Sequence, residues 1–357
     1  MEIMQALLNS KKVKYVVLEK LVKQLPMNTD ELNIFISAES IFKSFYTPQL
    51  NEKVNVLRNA DKYLISSEFI NIMAHYRHFF WSRYRIPTNF FVYYSSKEAS
   101  YNKSLVPDYR ESYYNKRSFS TYEYSNLNKM IYDNMKLAVL LSEYLPNIYI
   151  VDTKTLEPSV LPYHIITNNG SIDGLTNLIF TNNKMDYQLA NLPDTYIVDL
   201  KSDDTRILNK DEIMLELIKG SKVKKSTSLN SEFYSSVLAL SGCKHCGVRG
   251  IEGLGPLKTV SKLEKLIGLG TISNDEMSSK INLTADKILD NEKHINMAVN
   301  NYNALNIANM YKHISPKEKH NLENAIVNKS DNMSLIQIND KYYQEYPLML
   351  IELMEGE

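Results

Sequence analysis

The sequence predicts an α/β fold, in which a mostly parallel, twisted sheet is flanked by helices and followed by a helical subdomain. Short apolar runs alternate with helical patterns between residues 32 and 200, which is the first observation behind this prediction. The second is that no β-type pattern of similar strength occurs from Lys210 to Leu335, where helical patterns surround glycine-rich breaks. Alternating strands and helices indicate βαβ units, because parallel neighbours need a crossover connection between them.

Five strands are predicted, at Leu32–Ile36, Asn89–Tyr94, Ile148–Val151, Leu178–Thr181 and Thr195–Leu200. The second is an uninterrupted apolar run, which is typical of a strand buried on both faces of a parallel sheet. Helical patterns occupy residues 1–30, residues from 40 onward, 60–85, 126–144, 157–167 and 184–190. The aromatic residues from Phe69 to Trp81 are predicted to lie in the core.

The chain is expected to have three parts. These are an N-terminal helical extension (1–30), an α/β domain (31–209) and a helical C-terminal subdomain (210–357). Residues 95–125 are polar, rich in tyrosine and poor in aliphatic residues, so we expect an insert outside the core of the α/β domain. Short β-like runs at 335–338 and 342–343 end the pattern.

The bulk composition limits the classes of function. The 357 residues carry 41 basic and 41 acidic side chains, so contacts with nucleic acid would have to come from local patches. No apolar run is long enough to cross a bilayer and the first residues are not a signal peptide, so we expect a cytoplasmic protein without a membrane partner. Abundant tyrosine, asparagine, lysine and isoleucine suggest an AT-rich genome, compatible with a phage acting in its host's cytoplasm.

The most informative motif is the glycine hairpin (residues 247–259), which contains Gly253-Leu-Gly-Pro256. Glycine allows a tight turn and a close approach to a phosphate, because no Cβ intervenes. Proline suits the first turn of a helix, whose unpaired amides can bind an anion. We therefore predict contacts with the DNA backbone at Gly253, Gly255, Lys258 and Thr259. The alternative is an ordinary loop between two helices.

Two basic segments are further candidates for DNA binding. Lys222, Lys224 and Lys225 precede the glycine hairpin, where they can add attraction to phosphates. Arg110, Lys116 and Arg117 lie among the tyrosines of the insert, and cations combined with aromatic rings suit single strands. Each has an alternative, since a charge run is often a solvated face and the insert tyrosines can pack on the sheet.

Six segments follow one another in a characteristic order: Ile34–Ser40, Phe91–Ser95, Pro107–Arg117, Tyr144–Asp152, Leu156–Val160 and Ile179–Leu189. This order resembles that of the flap-endonuclease and phage 5′-nuclease family, most closely the RNase H-type nucleases of T-even phages. The resemblance implies a PIN-like sheet domain, a clamp over single-stranded DNA in the insert, and a helix-hairpin-helix at residues 247–259. It also implies a two-metal site that hydrolyses DNA.

The chain departs from this family at the metal-holding carboxylates. Glu157 is retained, and Asp186 stands one position past a family carboxylate, which is expected to turn its side chain elsewhere. Hard cations need anionic oxygen ligands, so we predict no catalytic residue, no metal ligand and no cofactor. The replacements are Ser37, Tyr94 or Ser95, Ser159, Val160, Asn183, Met185, Cys243 and Cys246.

Cys243 and Cys246, with His245 between them, form a Cys-x-x-Cys motif. A redox pair is disfavoured, because a thioredoxin-type motif follows a strand at the start of a helix. Two other interpretations remain. A zinc site is one, although zinc takes four ligands and no second motif of this kind is present. Two ordinary thiols that fill the space of the lost metals are the other.

Three functions follow from the sequence. The first is an inactive 5′-nuclease-like phage protein that binds a flap, a junction or single-stranded DNA without cleaving it. The second is a structural or regulatory scaffold subunit of a phage protein complex, which the zero net charge favours. The third is an active nuclease with a metal site rebuilt from Glu39, Glu157, Asp186 and Asp199.

Overall fold

The computed structural model describes residues 19, 21–38, 76–95, 97, 99–109, 147–181, 183–199, 206–218, 227–271 and 288–327. A six-stranded sheet in the order β3-β2-β1-β4-β5-β6 forms its centre, and β6 alone in this sheet is antiparallel to its neighbour. The strands are β1 Glu31–Ser37, β2 Thr88–Tyr94, β3 Ile148–Asp152, β4 Leu175–Thr181, β5 Thr195–Asp199 and β6 Ile207–Leu208. The predicted fold class and all five predicted strands are confirmed.

Helices cover the sheet and make up most of the described C-terminal residues. They are α1 Ser100–Leu105, α2 Val160–Asn169, α3 Ile213–Ile218, α4 Tyr234–Ser241, α5 Pro256–Gly268, α6 Glu292–Leu305, α7 Ile307–Lys312 and α8 Pro316–Val327. Residues 76–84 are also helical. A short antiparallel pair, β7 Gly242–Cys243 and β8 Val248–Arg249, interrupts the helices after α4.

Two predicted helices differ from the observed elements. The helix predicted at 157–167 begins only at Val160, since the preceding residues form a turn. The helix predicted at 184–190 is a 3₁₀ helix, Lys184–Asn191. Asn183 caps it by accepting a hydrogen bond from the Met185 amide at 3.1 Å. These two corrections change where Glu157, Ser159 and Asp186 are placed.

One face of the sheet is layered along the strand direction. Near the amino ends of the strands, Asn33 donates to Asn177 and accepts from Asn89, in both cases at 3.1 Å. Two residues further along, Phe35 and Phe91 stack with ring centroids 4.9 Å apart, and Tyr149 extends the stack from β3. The side-chain period of two keeps these rows on the same face, so the next row lies at the carboxyl ends of the strands.

The C-terminal helices are tied to the sheet domain by partly buried polar contacts. Gln188 donates to the Leu305 carbonyl at 2.8 Å and accepts from the Ile307 amide at 2.9 Å, at the junction of α6 and α7. It also accepts from Ser235 Oγ on α4 at 2.9 Å. One side chain of the 3₁₀ helix therefore holds three helices in place.

The aromatic stretch before β2 is only partly core. Phe79 and Phe80 are buried, but Trp81 is 51% exposed, so the prediction that it lies in the core was wrong. It follows the buried pair directly in the sequence, and the Arg85 guanidinium carbon lies 5.7 Å from the centroid of its ring. Among the described residues, no helix has the length and apolar character that crossing a membrane requires.

Several predictions fall outside the described residues and stay predictions. They include the helices at 1–18, 40–75 and 126–144 and the β-like runs at 335–338 and 342–343. The division into three parts at residues 30 and 209 also stays a prediction.

Candidate functional site

The carboxyl ends of the five parallel strands lie at one edge of the sheet, where ligands bind in open α/β folds. The register there pairs Ser37 with Tyr93 and Thr181 with Asp199. The family replacements predicted from sequence follow these strand ends, so this edge is where a metal site would lie.

Asp186 lies inside this edge, so the prediction that its side chain points elsewhere was wrong. It is 1% exposed and accepts hydrogen bonds from Ser159 Oγ on Oδ1 and from Thr181 Oγ1 on Oδ2, the latter at 2.6 Å. Asn183 Nδ2 adds a longer contact to Oδ1 at 3.4 Å. The 3₁₀ helix explains the placement, because its three-residue turn brings Asp186 back towards the end of β4.

Glu157 accepts a hydrogen bond from Tyr109, whose Oη lies 2.8 Å from Glu157 Oε2. Both residues are 2% exposed, although Tyr109 belongs to the polar insert. At least this tyrosine of the insert therefore packs against the sheet domain, where it is not available for stacking on a base. Asp186 and Asp199 are buried as well, so this edge holds further carboxylates besides the retained Glu157.

Sulfur atoms occupy the rest of this region. Cys243 and Cys246 are buried and not joined in a disulfide, with their Sγ atoms 3.0 Å apart. Cys246 Sγ lies 3.8 Å from Asn183 Oδ1 and 4.0 Å from Met185 Sδ. The two thiols therefore lie against Asn183 and Met185 of the 3₁₀ helix. We call this set the buried cluster: Tyr109, Glu157, Ser159, Asn183, Met185, Asp186, Cys243 and Cys246.

Two tyrosine hydroxyls next to the buried cluster, those of Tyr93 and Tyr234, are buried without a hydrogen-bond partner among the described residues. Burial raises the pKa of Tyr93 well above its ordinary value, and Asp186 and Glu157 raise it further. Burial also raises the pKa of Tyr234, with added effects of Cys243 and Asp186. Both phenols therefore stay neutral and can act only as neutral donors or acceptors.

The buried cluster does not fit a pair of hard divalent cations. Within the described part of the chain, no three His, Cys, Asp or Glu side chains are grouped so that they could hold a metal ion. The Asp186 oxygens already accept from Ser159, Thr181 and Asn183, and neutral sulfur and amide groups stand beside them. Mg²⁺ needs anionic oxygens in near-octahedral geometry, which these neighbours do not supply.

Comparison with solved structures identifies the fold. The T5 5′-exonuclease with bound zinc ions matches with a TM-score of 0.55 and 11% identity, over 84% of this chain and 100% of that chain. The T5 D15 protein crystallised with metal ions matches with a TM-score of 0.53 and 12% identity, over 91% of this chain and 99% of the other. This chain has the fold of a phage 5′ nuclease. No protein-family model and no curated protein matches its sequence.

In this fold, two backbone segments cross closely at the start of the glycine hairpin. Gly242 has φ +81°, and a Cβ on it would lie 2.3 Å from the Gly250 amide nitrogen. A Cβ on Gly250 would lie 2.2 Å from the Ser241 carbonyl oxygen. Only glycine fits at either position, and sequence reasoning missed both. Two glycines flanking the Cys-x-x-Cys turn were the available signal.

The exposed part of the glycine hairpin begins after this crossing. Gly253 has φ +78°, in the left-handed region, whereas Gly255 has an ordinary φ of −76°. A Cβ on either residue would meet nothing within 4 Å. Helix α5 begins at Pro256, as predicted. The hairpin borders an open groove of about 480 Å³, which Lys258 and Ser241 also line.

The residues predicted to contact DNA differ in their exposure. Gly253, Gly255 and Lys258 are exposed at the groove. Thr259 is 1% exposed and its amide donates to the Gly255 carbonyl at 3.0 Å, so its predicted contact with phosphate is withdrawn. The other six candidates lie outside the described residues: Arg110, Lys116, Arg117, Lys222, Lys224 and Lys225.

Proposed function

We propose that this chain is a catalytically inactive, 5′-nuclease-like phage protein that binds the nucleic-acid backbone of a flap, a junction or a single strand. The observation that carries the proposal is the contrast between the filled buried cluster and the open glycine hairpin. Gly253, Gly255 and Lys258 leave room at the start of the 13-residue helix α5 for a phosphate. Amides and a positive dipole at a helix start favour such an anion.

Loss of cleavage is supported by the neighbours of the two innermost carboxylates. Glu157 accepts from a buried tyrosine, and Asp186 accepts from two hydroxyls and an amide. These donors serve the purpose that metal ions serve in a phosphodiesterase, since they offset the negative charge of buried carboxylates. A protein with this arrangement keeps its carboxylates without needing a divalent cation.

A gel-shift and cleavage experiment tests both halves of the proposal. The protein is incubated with 5′-flap, single-stranded and duplex DNA, with either Mg²⁺ or Mn²⁺ present. We expect retarded complexes of uncut DNA, and affinity that falls steeply with added salt because the contacts are to phosphates. Sequence changes in the DNA should have little effect, because backbone contacts carry no base information.

Variants of the glycine hairpin locate the contact. Gly253→Val should reduce affinity most, since a β-branched residue is disfavoured at φ +78° and would also block the phosphate. This replaces the expectation from sequence that Gly255→Val would be the most damaging, because the φ of Gly255 suits any residue. Lys258→Ala should lower both the affinity and the salt dependence of binding. Glu292→Ala, at an exposed acidic position on α6, serves as the control.

Two outcomes would favour the other functions. Metal-dependent cutting of DNA that is lost in Glu157→Gln and in Asp186→Asn would indicate an active nuclease with a rebuilt site. The inward position of Asp186 is the observation behind that alternative. Normal folding of Gly253→Val with unchanged flap binding, or absence of DNA binding in the parent protein, would favour the scaffold function. The zero net charge of the chain is the observation behind that alternative.

A further inference from the structure

The Cys-x-x-Cys turn holds two thiol groups on the same side of a short β-hairpin. Cys243 ends β7, and the Cys246 amide donates to the Cys243 carbonyl at 3.1 Å, which closes the turn. Gly247 has φ +70°, which returns the chain to β8. The result is an Sγ to Sγ distance of 3.0 Å between two residues that are at most 3% exposed.

A third sulfur atom faces this pair from the sheet domain. Met185 Sδ lies 4.0 Å from Cys246 Sγ, and Met185 is fully buried. Its position is fixed by the Asn183 cap at the start of the 3₁₀ helix, so the thioether does not depend on a mobile loop. Three sulfur atoms thus meet where the carboxyl edge of the sheet contacts the turn.

The Tyr234 hydroxyl provides a second, independent observation. It is fully buried on α4 and has no hydrogen-bond partner among the described residues. Its helix runs directly into β7, which carries Cys243. A buried hydroxyl without a partner is costly, and a thiolate would satisfy it.

We propose that Cys243, Cys246 and Met185 form a binding site for a single copper(I) ion. Thiolate and thioether ligands select soft metals, and copper(I) accepts two or three such ligands. Zinc takes four, and no third His, Cys, Asp or Glu stands with the two cysteines within the described ranges. This site is separate in chemistry from a carboxylate site for hard cations and does not rest on the proposed DNA binding.

The binding step releases protons. Two thiols and one Cu⁺ give a bis-thiolate complex with one net negative charge and two H⁺, while Met185 adds a neutral thioether. The two cysteine sulfurs must separate from their 3.0 Å distance as the ion enters between them. The neutral Tyr234 hydroxyl can then donate to one thiolate and so stabilise the net charge.

An anaerobic competition titration tests the site. The fully reduced protein is titrated with copper(I) against bicinchoninate, a coloured copper(I) chelator, and bound metal is counted by native mass spectrometry. We expect one copper ion per chain and a thiolate-to-copper absorption band in the near ultraviolet. Silver(I), which undergoes no redox chemistry here, should bind with the same stoichiometry and raise the unfolding temperature.

Sulfur-deleting variants identify the ligands. Cys243→Ser or Cys246→Ser should abolish competition with the chelator, and Met185→Leu should weaken it by about tenfold, as loss of a weak supporting ligand does. Met214→Leu, at another buried methionine on α3, should change nothing. If a serine variant misfolds, the parent protein gives the same information, since one equivalent of copper(I) should slow the labelling of both cysteines by iodoacetamide during unfolding in urea.

Other results overturn the proposal. The protein could fail to hold copper(I) against the chelator, retain it in Cys246→Ser, or prefer zinc to copper(I). Formation of a Cys243–Cys246 disulfide in air, together with no retention of copper(I) by the reduced protein, would also contradict it. In that case the turn would be a thiol pair without a metal.

Discussion

The buried cluster and the glycine hairpin lie close along the chain but have opposite surroundings. Cys243 and Cys246 are at most 3% exposed and contact the sheet domain, whereas Gly253 and Gly255, a few residues later, border open space. In the first region every innermost carboxylate has neutral donors around it. In the second, a helix start and a lysine remain available to a ligand.

Under the proposed function, this difference means that a buried carboxylate site and an exposed backbone-binding loop can change separately. Buried carboxylates without a metal ion need hydrogen-bond donors, because an uncompensated buried charge is costly. An exposed loop carries no such penalty, so it can keep a phosphate-binding form whether or not the buried site cleaves DNA. Four predictions test this comparison.

The largest effect is expected at the backbone crossing that supports the hairpin. Gly250→Ala should lower the free energy of unfolding by about 3 kcal/mol, because the new Cβ would lie 2.2 Å from the Ser241 carbonyl oxygen and neither backbone segment can yield. Urea denaturation measures the loss. The same change at Gly255, where Cβ meets open space, should cost less than about 1 kcal/mol. Equal losses at the two positions would show that the crossing is not close.

Asp186→Asn tests whether the buried cluster is now structural. Replacing the carboxylate removes charge-assisted hydrogen bonds from Ser159 and Thr181, so we expect a loss of about 2 kcal/mol. The exposed Asp108, whose ion pair with Arg249 is 3.6 Å long, is the control, and Asp108→Asn should change stability by less than about 1 kcal/mol. If Asp186→Asn instead raised the free energy of unfolding, the carboxylate would be kept for function and not for structure, since functional residues often lower stability.

Two tyrosines allow the same hydroxyl deletion with opposite expected results. Tyr109→Phe should cost about 1 to 2 kcal/mol, because it removes the donor to the buried Glu157 carboxylate. Tyr93→Phe should be neutral or stabilise by up to about 1 kcal/mol, because that hydroxyl is buried without a partner. Thermal and urea unfolding at pH 7 measure both changes. A clear loss in Tyr93→Phe would mean that its hydroxyl is satisfied by a water or a ligand.

The smallest effect concerns pH and His164, in the middle of helix α2, which begins next to the buried cluster. Burial lowers the pKa of His164 below 6.5, assisted by Lys319 and opposed by Glu323. The unfolded chain therefore binds the proton more readily, and the His164 contribution to stability is lost as pH falls below 6.5. Unfolding free energies at pH 7.5 and 5.5 should differ less in His164→Gln than in the parent. If the stability of the two proteins depended on pH in the same way, the contact between His164 and the Tyr311 hydroxyl at 2.7 Å would tolerate a charged imidazole ring.

Much of the fold could be predicted from the sequence because it depends on local patterns. Apolar runs placed the five parallel strands, while β6 was missed, since two residues cannot show a periodic pattern. The start of α5 at Pro256 followed from the preference of proline for a first helical turn. The positions at which the chain departs from the family it resembles, such as Ser159 and Met185, could also be identified in the sequence.

The positions of single side chains required the tertiary structure. Asp186 faces inward because an asparagine cap and a 3₁₀ turn replace the predicted α-helix, and Tyr109 is buried because its segment returns to the sheet. Gly242 and Gly250 are required because the two ends of one short β-hairpin cross closely, and the sequence shows the two glycines but not the distance between them. The sequence by itself determined which groups are present and in what order along the strands. Only the packing of segments far apart in the chain decided which of them meet, since that depends on distances that local patterns do not encode.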